Sequence, residues 1–353
     1  MEGKSILIVG AGGFIGGFIA RRALELGYET WAGIRETTSR RWLDDPRLRF
    51  AVFDYDNPDA LREQVARYAA EVPGGCWTHI IWNLGATKAV NYRDFDRVNF
   101  GYVRTFVNAM AELGLRPERF LYMSSLSALG PGDERNYTPL DEHTIAMPNT
   151  AYGLSKIKAE TFLETQAWLP WIIFRPTGVY GPHEKDYLMM IKSIDSHFDF
   201  GVGYRKQMLT FIYVDDLVEA MFRALNASDV VVHKKYIISE PRAYTQSEFR
   251  DMVTGLLGNR FVIPVRLPLW TAKIASAVAE KFAAARGKSS TLNRDKYKIM
   301  RQRNWSCDIT PARRDFGFNP EHSLLDGLRA TVAAYRADQA RARLDKANRL
   351  GIR

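Results

Sequence analysis

A glycine-rich turn near the start of the chain constrains the fold more than any other sequence feature. The apolar, strand-like run from Ser5 to Val9 is followed at once by the turn GAGGFIG, and a helical pattern from Phe14 to Leu26 then ends at Gly27. A glycine-rich turn between a strand and a helix is typical of the first unit of a parallel, helix-covered sheet. We therefore expect a βαβ architecture from the first strand onward.

The rest of the first half repeats this alternation. Alternating strands and helices predict a parallel sheet covered on both faces, and right-handed crossovers make it doubly wound. The fold class is thus α/β, a Rossmann-type doubly wound parallel sheet. The predicted strands are 5–9, 30–34, 48–53, 79–84, 120–123 and 171–174, and the predicted helices are 14–26, 59–68, 98–113 and 151–168.

The pattern loosens after residue 182, which predicts a smaller, mostly helical C-terminal substrate lobe. We assign residues 1–182 to a dinucleotide-binding Rossmann domain and residues 183–335 to the substrate lobe, interleaved with the last sheet elements. Residues 336–353 are expected to form a basic helical tail.

The glycines of the first turn suit a phosphate-binding site. Gly10 allows the tight turn, Gly13 lets backbone amides approach a pyrophosphate, and Gly16 lets the helix pack closely on the strand. The pyrophosphate would lie at the helix N-terminus, where unpaired N–H groups and the helix dipole favour an anion. The turn residues expected to bind the cofactor are Gly10, Gly12, Gly13, Phe14, Ile15 and Gly16.

Tyr152 and Lys156 form a Tyr-x-x-x-Lys pair at the start of a predicted helix. Residues one turn apart lie on the same helix face. A tyrosine, with an ordinary pKa of ~10, is a poor base at neutral pH, and a nearby ammonium lowers that pKa by favouring the phenolate. Tyr152 would then take a proton from an alcohol, or give one to a carbonyl, while hydride moves to or from a nicotinamide. The pair alone also fits a plain amphipathic helix.

Composition excludes several other classes of protein. The chain has 353 residues, 46% hydrophobic and 25% charged, as in an ordinary globular protein. Its two cysteines, Cys76 and Cys307, form neither a disulfide framework nor a metal-binding spacing. We therefore expect no metal site, a reducing compartment and a cytoplasmic location. No nucleic-acid-binding module is visible, so nucleic acid is not an expected partner.

The charge excess and one apolar window bear on membranes. The net charge is +9, concentrated late in the chain, which indicates a solvated basic face or attraction to an anionic lipid or cofactor. The apolar window 267–285 is interrupted by Lys273, Glu280 and Lys281, and a transmembrane helix needs ~20 apolar residues. We expect no transmembrane span and interpret the window as a buried or amphipathic helix. A peripheral contact with a membrane surface, or with a lipophilic substrate, is the alternative.

Taken together, these motifs resemble the extended short-chain dehydrogenase/reductases, the NAD(P)-dependent epimerase/dehydratase superfamily, over about residues 3–335. The resemblance implies that Ser125 is the catalytic serine beside Tyr152 and Lys156. Ser124 is the alternative, and we interpret it as a structural hydroxyl. The segments that carry it are the GxxGxxG turn, the Tyr-x-x-x-Lys pair, FLYMSS ending at Ser125, FRPTGVYGP from Phe174, and FIYVDDL from Phe211.

The end of the second predicted strand bears on the cofactor. A carboxylate there would bind the ribose of NAD, but this chain has Arg35, followed by Arg40 and Arg41. A guanidinium suits a 2′-phosphate, and dihydroflavonol reductases look similar here, so we expect NADP(H), with NAD less favoured. Asp54 is either an adenine contact or a turn cap. The other expected cofactor contacts are Leu84, Gly85, Ala86, Tyr152, Lys156, Pro176 and Val179.

Two positions near residue 100 are ambiguous. Tyr102 stands where the family usually has a small residue, so the helix register or a local contact is expected to differ there. Asn99 is either a backbone contact or a helix-cap residue. The resemblance also implies a homodimer formed through helices 98–113 and 151–168.

The reaction expected from the resemblance is simple oxidoreduction. Dehydratases of the superfamily carry a carboxylate after the serine strand, whereas this chain has Ser125-Leu126-Ser127-Ala128. The following Gly130-Pro131 looks more like the hydroxysteroid dehydrogenase branch. We therefore predict an NADP-dependent enzyme that interconverts a ketone or aldehyde and an alcohol on a fairly hydrophobic small molecule, similar to a steroid, isoprenoid or flavonol.

Substrate-lobe residues leave alternatives open. The aromatic residues of the substrate lobe fit either an apolar ligand or plain core packing; they are Phe198, Phe200, Tyr204, Trp270 and Phe282. The alternative function is a nucleotide-sugar epimerase or reductase in which Arg205, Lys206 and Arg303 pair with a diphosphate. A non-catalytic NADP-binding regulator is disfavoured, because such proteins normally lose the tyrosine or the lysine, and both are present.

Overall fold

Strands and helices alternate along the chain in a computed structural model that describes residues 3–89, 91–284 and 294–349. The strands are β1 Ser5–Val9, β2 Glu29–Ile34, β3 Arg49–Val52, β4 His79–Trp82, β5 Arg119–Met123, β6 Trp171–Pro176, β7 Gly178–Tyr180, β8 Phe198–Val202, β9 Met208–Leu209, β10 Phe211–Tyr213, β11 Lys234–Ile238, β12 Tyr244–Thr245 and β13 Ile263–Leu267. The helices are α1 Phe14–Glu25, α2 Pro58–Ala70, α3 Tyr92–Phe95, α4 Tyr102–Glu112, α5 Ala151–Glu164, α6 Asp186–Asp195, α7 Val214–Leu225, α8 Gln246–Leu257, α9 Leu269–Ala284, α10 Arg294–Arg301, α11 Thr310–Phe316 and α12 Leu324–Arg349.

Seven strands form one sheet in the order β3-β2-β1-β4-β5-β6-β11. All of its neighbouring pairs are parallel. The predicted α/β Rossmann-type fold is therefore confirmed. The strand order reverses between β1 and β4, and in such sheets ligands bind at the carboxyl ends of the strands beside this reversal.

Helices cover both faces of the sheet, as β1 shows. Its alternate residues Ile6 and Ile8 belong to one apolar cluster, with side chains of α1 and α7. Leu7 and Val9 belong to a second cluster, with side chains of α2, α4 and α5. Because strand side chains alternate between faces, a strand buried on both sides is apolar throughout, and each buried aliphatic side chain stabilises the fold by ~1.5–3 kcal/mol.

The second half of the chain contributes both to the sheet and to a smaller lobe. Strand β11 pairs with β6 at the edge of the main sheet. The pairs β8–β13 and β9–β12 and most later helices form the lobe. Helix α12 runs unbroken from Leu324 to Arg349, so residue 336, the predicted start of a separate tail, lies inside one helix. The predicted division into domains otherwise stays a prediction.

Two predicted helices differ in detail. The helix expected over 98–113 begins earlier, at Tyr92, because the Asn91 side chain accepts a hydrogen bond from the Asp94 N–H, and it contains a π-helical segment, Asp96–Gly101. The window 267–285 begins with the end of β13, and α9 follows after Pro268. In the described residues no helix is both long and apolar enough to cross a membrane.

His79 makes the stability of the fold depend on pH. Its ring is fully buried, and neither ring nitrogen has a hydrogen-bond partner in the described part of the chain. Burial lowers the pKa of His79 from 6.5 to about 4. Below pH 6.5 the unfolded chain therefore binds a proton that the folded chain excludes, and we expect ~2 kcal/mol less stability at pH 5 than at pH 7 from this residue.

Urea unfolding at both pH values measures this effect. His79→Leu should remove that part of the pH dependence, whereas His143→Leu should leave it, because the His143 side chain is 84% exposed. An unchanged pH dependence in His79→Leu would show that another group controls acid stability.

Candidate active site

The glycine turn lies at the carboxyl end of β1, where the strand order reverses. Gly10 has a positive φ of 89°, and a Cβ there would lie 2.8 Å from the Leu84 Cα. A Cβ at Gly16 would lie 2.3 Å from the Gly10 carbonyl oxygen, so only glycine allows α1 to pack on the turn. A Cβ at Gly12 would lie 2.2 Å from the Thr38 Cγ2 atom.

Helix α1 begins without a cap. Its N-cap residue, Gly13, is exposed and makes no side-chain cap hydrogen bond, and the first turn holds no acidic residue. The N–H groups and the positive end of the helix dipole are therefore free for an anion. This open helix end fits a pyrophosphate.

Three predicted catalytic residues meet at the carboxyl ends of β5 and the start of α5. Thr150 caps α5 by accepting from the Gly153 N–H, which places Tyr152 in the first turn and Lys156 one turn later. Ser125 follows β5, and its side chain lies beside that of Tyr152. The Lys156 Nζ lies 6.0 Å from the centre of the Tyr152 ring. The structure thus brings the predicted trio together.

The trio and the glycine turn both lie beside the segment that follows β4. A Cβ on Gly85 would lie 3.0 Å from the Lys156 Nζ. A Cβ on Gly10 would lie 2.8 Å from the Cα of Leu84, the residue before Gly85. Lys156, the segment after β4 and the glycine turn are therefore neighbours in space.

Burial controls the proton affinity of both catalytic side chains. It raises the pKa of Tyr152, although the nearby Ser125 hydroxyl acts in the opposite direction. Burial also lowers the pKa of Lys156 to about 7, and the Lys156 ammonium donates to the Met123 carbonyl at 2.7 Å. The net pKa of Tyr152 is therefore raised and not lowered as predicted, because loss of hydration is the largest influence on the phenol. Tyr152 is held as a neutral phenol, which suits a proton donor.

Asn99 supports the segment after β4. Its Oδ1 accepts from the Ala86 N–H at 2.7 Å, and its Nδ2 donates to the Ala86 carbonyl at 3.0 Å and to the Ser155 Oγ at 2.9 Å. The structure thus decides for a backbone contact rather than a helix cap. Asn99 lies in the π-helical segment, and Tyr102, just after it, donates to the Asp56 carboxylate.

A buried ion pair ties the catalytic strand, helix and next strand together. Glu160 on α5 receives two arms of the Arg175 guanidinium from β6, and it accepts from the Ser124 hydroxyl at the end of β5. Glu160 and Arg175 are 0% and 6% exposed. Ser124 is therefore a structural hydroxyl. Neither residue of this pair is among the predicted site residues. The one sequence feature that points to it is the acid Glu160, one helical turn after Lys156.

The first turn of α5 is also held from the substrate lobe. Asp295, buried on α10, accepts from the Tyr152 backbone N–H at 3.2 Å. Lys298 on the same helix donates to the Asn149 carbonyl at 2.6 Å. No local sequence pattern links residues so far apart.

Residues 6–239 match the model of the NAD dependent epimerase/dehydratase family. The chain belongs to this family. A UDP-glucose 4-epimerase of Vibrio cholerae is 23% identical over 347 residues, which cover 94% of this chain and 95% of that protein. Short-chain dehydrogenase/reductase family 42E member 1 of Bos taurus is 29% identical over 55% of this chain and 53% of its own.

Solved structures show the same fold. A UDP-glucose 4-epimerase from Thermotoga maritima, solved with UDP-glucose, gives a TM-score of 0.74 at 18% identity and covers 95% of this chain and 99% of its own. At this identity the likeness concerns the fold alone.

The cofactor of the family is a nicotinamide dinucleotide, and the open N-terminus of α1 fits its pyrophosphate. Arg35 is exposed at the end of β2 and forms no ion pair within the described ranges. Arg40 lies with its guanidinium 4.3 Å from the centre of the Phe50 ring. Asp54 is exposed, and its Oδ1 accepts from the Asp56 N–H, which is the geometry of a turn cap. Its role as an adenine contact stays a prediction.

The other predicted cofactor contacts lie along the same edge of the sheet. Pro176 ends β6 and Val179 lies in β7, next along the chain. Phe14 and Ile15 form the first turn of α1. In the described residues, no group of three or more His, Cys, Asp or Glu side chains is placed to hold a metal ion.

Breaking the Glu160–Arg175 pair should destabilise the fold strongly. Glu160→Gln leaves an unpaired buried guanidinium, and we expect a loss of ~3–5 kcal/mol in urea unfolding. The double variant Glu160→Leu/Arg175→Met removes both charges, so its free energy of unfolding should fall much less. The Ser124 hydroxyl then lacks its hydrogen-bond partner. Glu118→Gln, which breaks an exposed pair with Lys4, serves as the control and should change stability by ~1 kcal/mol or less. Additive losses in the double variant would contradict the pairing argument.

Proposed function

We propose that this protein catalyses NADP-dependent interconversion of a ketone or aldehyde and an alcohol, with Tyr152, Lys156 and Ser125 as its catalytic residues. The observation that supports this most is that the Ser125 and Tyr152 side chains lie together near Lys156, whose Nζ adjoins the segment after β4 that the glycine turn approaches. Two hydroxyl groups held together can both reach one substrate oxygen.

In the reducing direction, the Tyr152 phenol donates its proton to the substrate oxygen. The Ser125 hydroxyl holds that oxygen in place, and the Lys156 ammonium stabilises the phenolate that remains. The nicotinamide supplies the hydride when it is bound. The raised pKa of Tyr152 keeps the phenol protonated, so that its proton is available to the substrate oxygen.

The substrate that we favour is a fairly hydrophobic small molecule. Phe200, Tyr204 and Trp270 are 57%, 74% and 64% exposed, so the alternative of core packing does not apply to them. Phe198 is 41% exposed, whereas the side chain of Phe282 lies outside the described residues. The turn Leu126–Ala128 after Ser125 carries no carboxylate that could protonate a leaving hydroxyl group, which disfavours dehydration.

A nucleotide sugar is the second candidate, and the relatives favour it. Most of the similar proteins named above act, by their names, on UDP-glucose. The chain's own residues support it less. Arg303 is buried and donates to the carbonyls of Val202, Met300 and Arg301, so its guanidinium is occupied in holding backbone. Arg205 and Lys206 remain exposed and able to meet a diphosphate.

Turnover assays separate the two candidates. The purified protein is given NADPH or NADH with a panel of steroid, isoprenoid and flavonoid ketones, and separately UDP-glucose. Consumption of NADPH with an apolar ketone supports the first candidate. Epimerised UDP-sugar without net cofactor consumption supports the second and rules against the first.

Arg35 should set the preference for NADPH. A guanidinium hydrogen bond to a phosphate contributes ~1.5–3 kcal/mol, so Arg35→Ser is expected to raise KM for NADPH about 10- to 100-fold and to leave KM for NADH nearly unchanged. Arg47→Ser is the matched control, because the exposed Arg47 guanidinium is already paired with the Asp45 carboxylate. Equal effects of Arg35→Ser on both cofactors would remove the support for NADP. The expected homodimer also stays a prediction.

A further inference from the structure

One face of the β8–β13 ribbon is apolar and exposed. Phe198 pairs with Ile263, and Phe200 with Val265, so these side chains share a face. Phe198, Phe200 and Ile263 are 41%, 57% and 48% exposed, while Asp199 on the opposite face is buried. The two phenylalanine rings stack with their centres 5.9 Å apart. Soluble proteins rarely expose such a patch without a partner.

Helix α9, which follows β13 after a single proline, carries a second exposed apolar face. Trp270, Ile274 and Val278 recur every four residues, which places them on one side of the helix, and they are 64%, 57% and 61% exposed. Ala272 and Ser276, on the other side, are buried. α9 is therefore amphipathic, with its larger apolar side chains turned to solvent.

The exposed charged side chains of the two segments that carry most of these faces have one sign. Residues 200–210 and 259–279 contain no Asp or Glu. Arg205, Lys206, Arg260 and Lys273 in these segments are all exposed. A second copy of the chain would bring like charges together, since a two-fold contact pairs a surface with itself. An anionic bilayer matches both the apolar side chains and the surrounding cations.

We propose that the lobe surface, formed by Phe198, Phe200, Ile263, Trp270, Ile274 and Val278, docks on an anionic lipid bilayer. The apolar side chains enter the boundary between headgroups and acyl chains, and the basic residues meet the lipid headgroups. This mode needs no membrane-spanning helix, and none is present among the described residues. Its test needs no turnover, although it draws on the same exposed Phe198, Phe200 and Trp270 that favour a lipophilic substrate.

Vesicle flotation with the full chain tests the docking. The protein should float with vesicles of mixed phosphatidylcholine and phosphatidylserine, bind much less to phosphatidylcholine alone, and lose binding as salt rises. The variant Trp270→Glu/Ile274→Glu should lower the partition coefficient by at least about tenfold, because burial of each side chain stabilises binding by ~1.5–3 kcal/mol. Ile145→Glu, at a position 82% exposed outside the lobe surface, is the matched control and should bind like the unmodified protein.

A second variant keeps the test decisive if the first fails to fold. Lys206→Gln/Lys273→Gln retains every apolar side chain, and each lost charge should weaken binding to the anionic vesicles about fivefold. Absence of flotation with any vesicle overturns the proposal. It is also overturned if sedimentation shows a dimer that Trp270→Glu/Ile274→Glu dissociates, since the surface would then bind a second copy.

Discussion

Tyr152→Phe is expected to lower kcat by ~10²–10⁴-fold, because the variant loses the hydroxyl that transfers the proton while the ring still fills its site. The Tyr152 ring packs against Phe95, with ring centres 6.1 Å apart, and phenylalanine keeps this contact. The Tyr152→Phe variant should therefore fold and bind the cofactor normally. The measurement is steady-state turnover of the reduced cofactor with the substrate found in the panel.

The matched control for this prediction is Tyr68→Phe on α2. Tyr68 also packs edge-on against aromatic rings, Trp31 and Phe53, and its replacement removes a phenolic oxygen far along the chain from the proposed site. Turnover by Tyr68→Phe should equal that of the unmodified protein. Full activity of Tyr152→Phe, with cofactor affinity intact, would falsify the assignment of Tyr152 as proton donor.

Lys156→Met should lower kcat/KM for reduction by ~10²–10³-fold. The ammonium stabilises the phenolate left after proton transfer, and removing a partner of that kind costs about 2.7–4 kcal/mol in the transition state. Methionine keeps the length and the apolar stem of lysine, so the buried site beside Tyr122 stays filled. Initial rates with the two cofactors give kcat and KM separately.

The pH profile adds a readout that a purely structural role of Lys156 would not change. Burial lowers the pKa of Lys156 to about 7, so the ammonium is present below that pH and is lost above it. The reduction rate of the unmodified protein should therefore fall as the pH rises through about 7, and Lys156→Met should lack this fall. Lys158→Met, on the same helix but exposed and paired with Asp96, should keep it. A Lys156→Met profile that still falls near pH 7 would assign the titration to another group.

Several features of the site follow directly from local sequence. The need for glycine at Gly16 comes from the backbone carbonyls of Gly10 and Ala11, a few residues before it, and no side chain avoids those contacts. Tyr152 and Lys156 share a helix face because four residues make about one turn. Leu7 and Ile8 are buried on opposite faces of β1 because strand side chains alternate in direction, and the uninterrupted apolar run predicts burial of both faces.

Other features depend on contacts between distant segments. The raised pKa of Tyr152 results from burial, which the residue type alone does not reveal. The π-helical segment that carries Asn99 differs from an α-helix only in its hydrogen-bond pattern, and its neighbours Ala86 and Ser155 come from two other elements. The sequence also did not determine which side of α9 is exposed, because an apolar helix can turn its larger side chains either toward the core or toward solvent.

The sequence by itself determined the doubly wound sheet, the glycine turn and the pairing of Tyr152 with Lys156, since each depends on residues a few positions apart and on backbone geometry. Only the tertiary structure decided which groups are desolvated, and so which are charged. It buried Glu160 against Arg175 and brought Asp295 to the start of α5, because hydration and long-range packing depend on every element that surrounds a group.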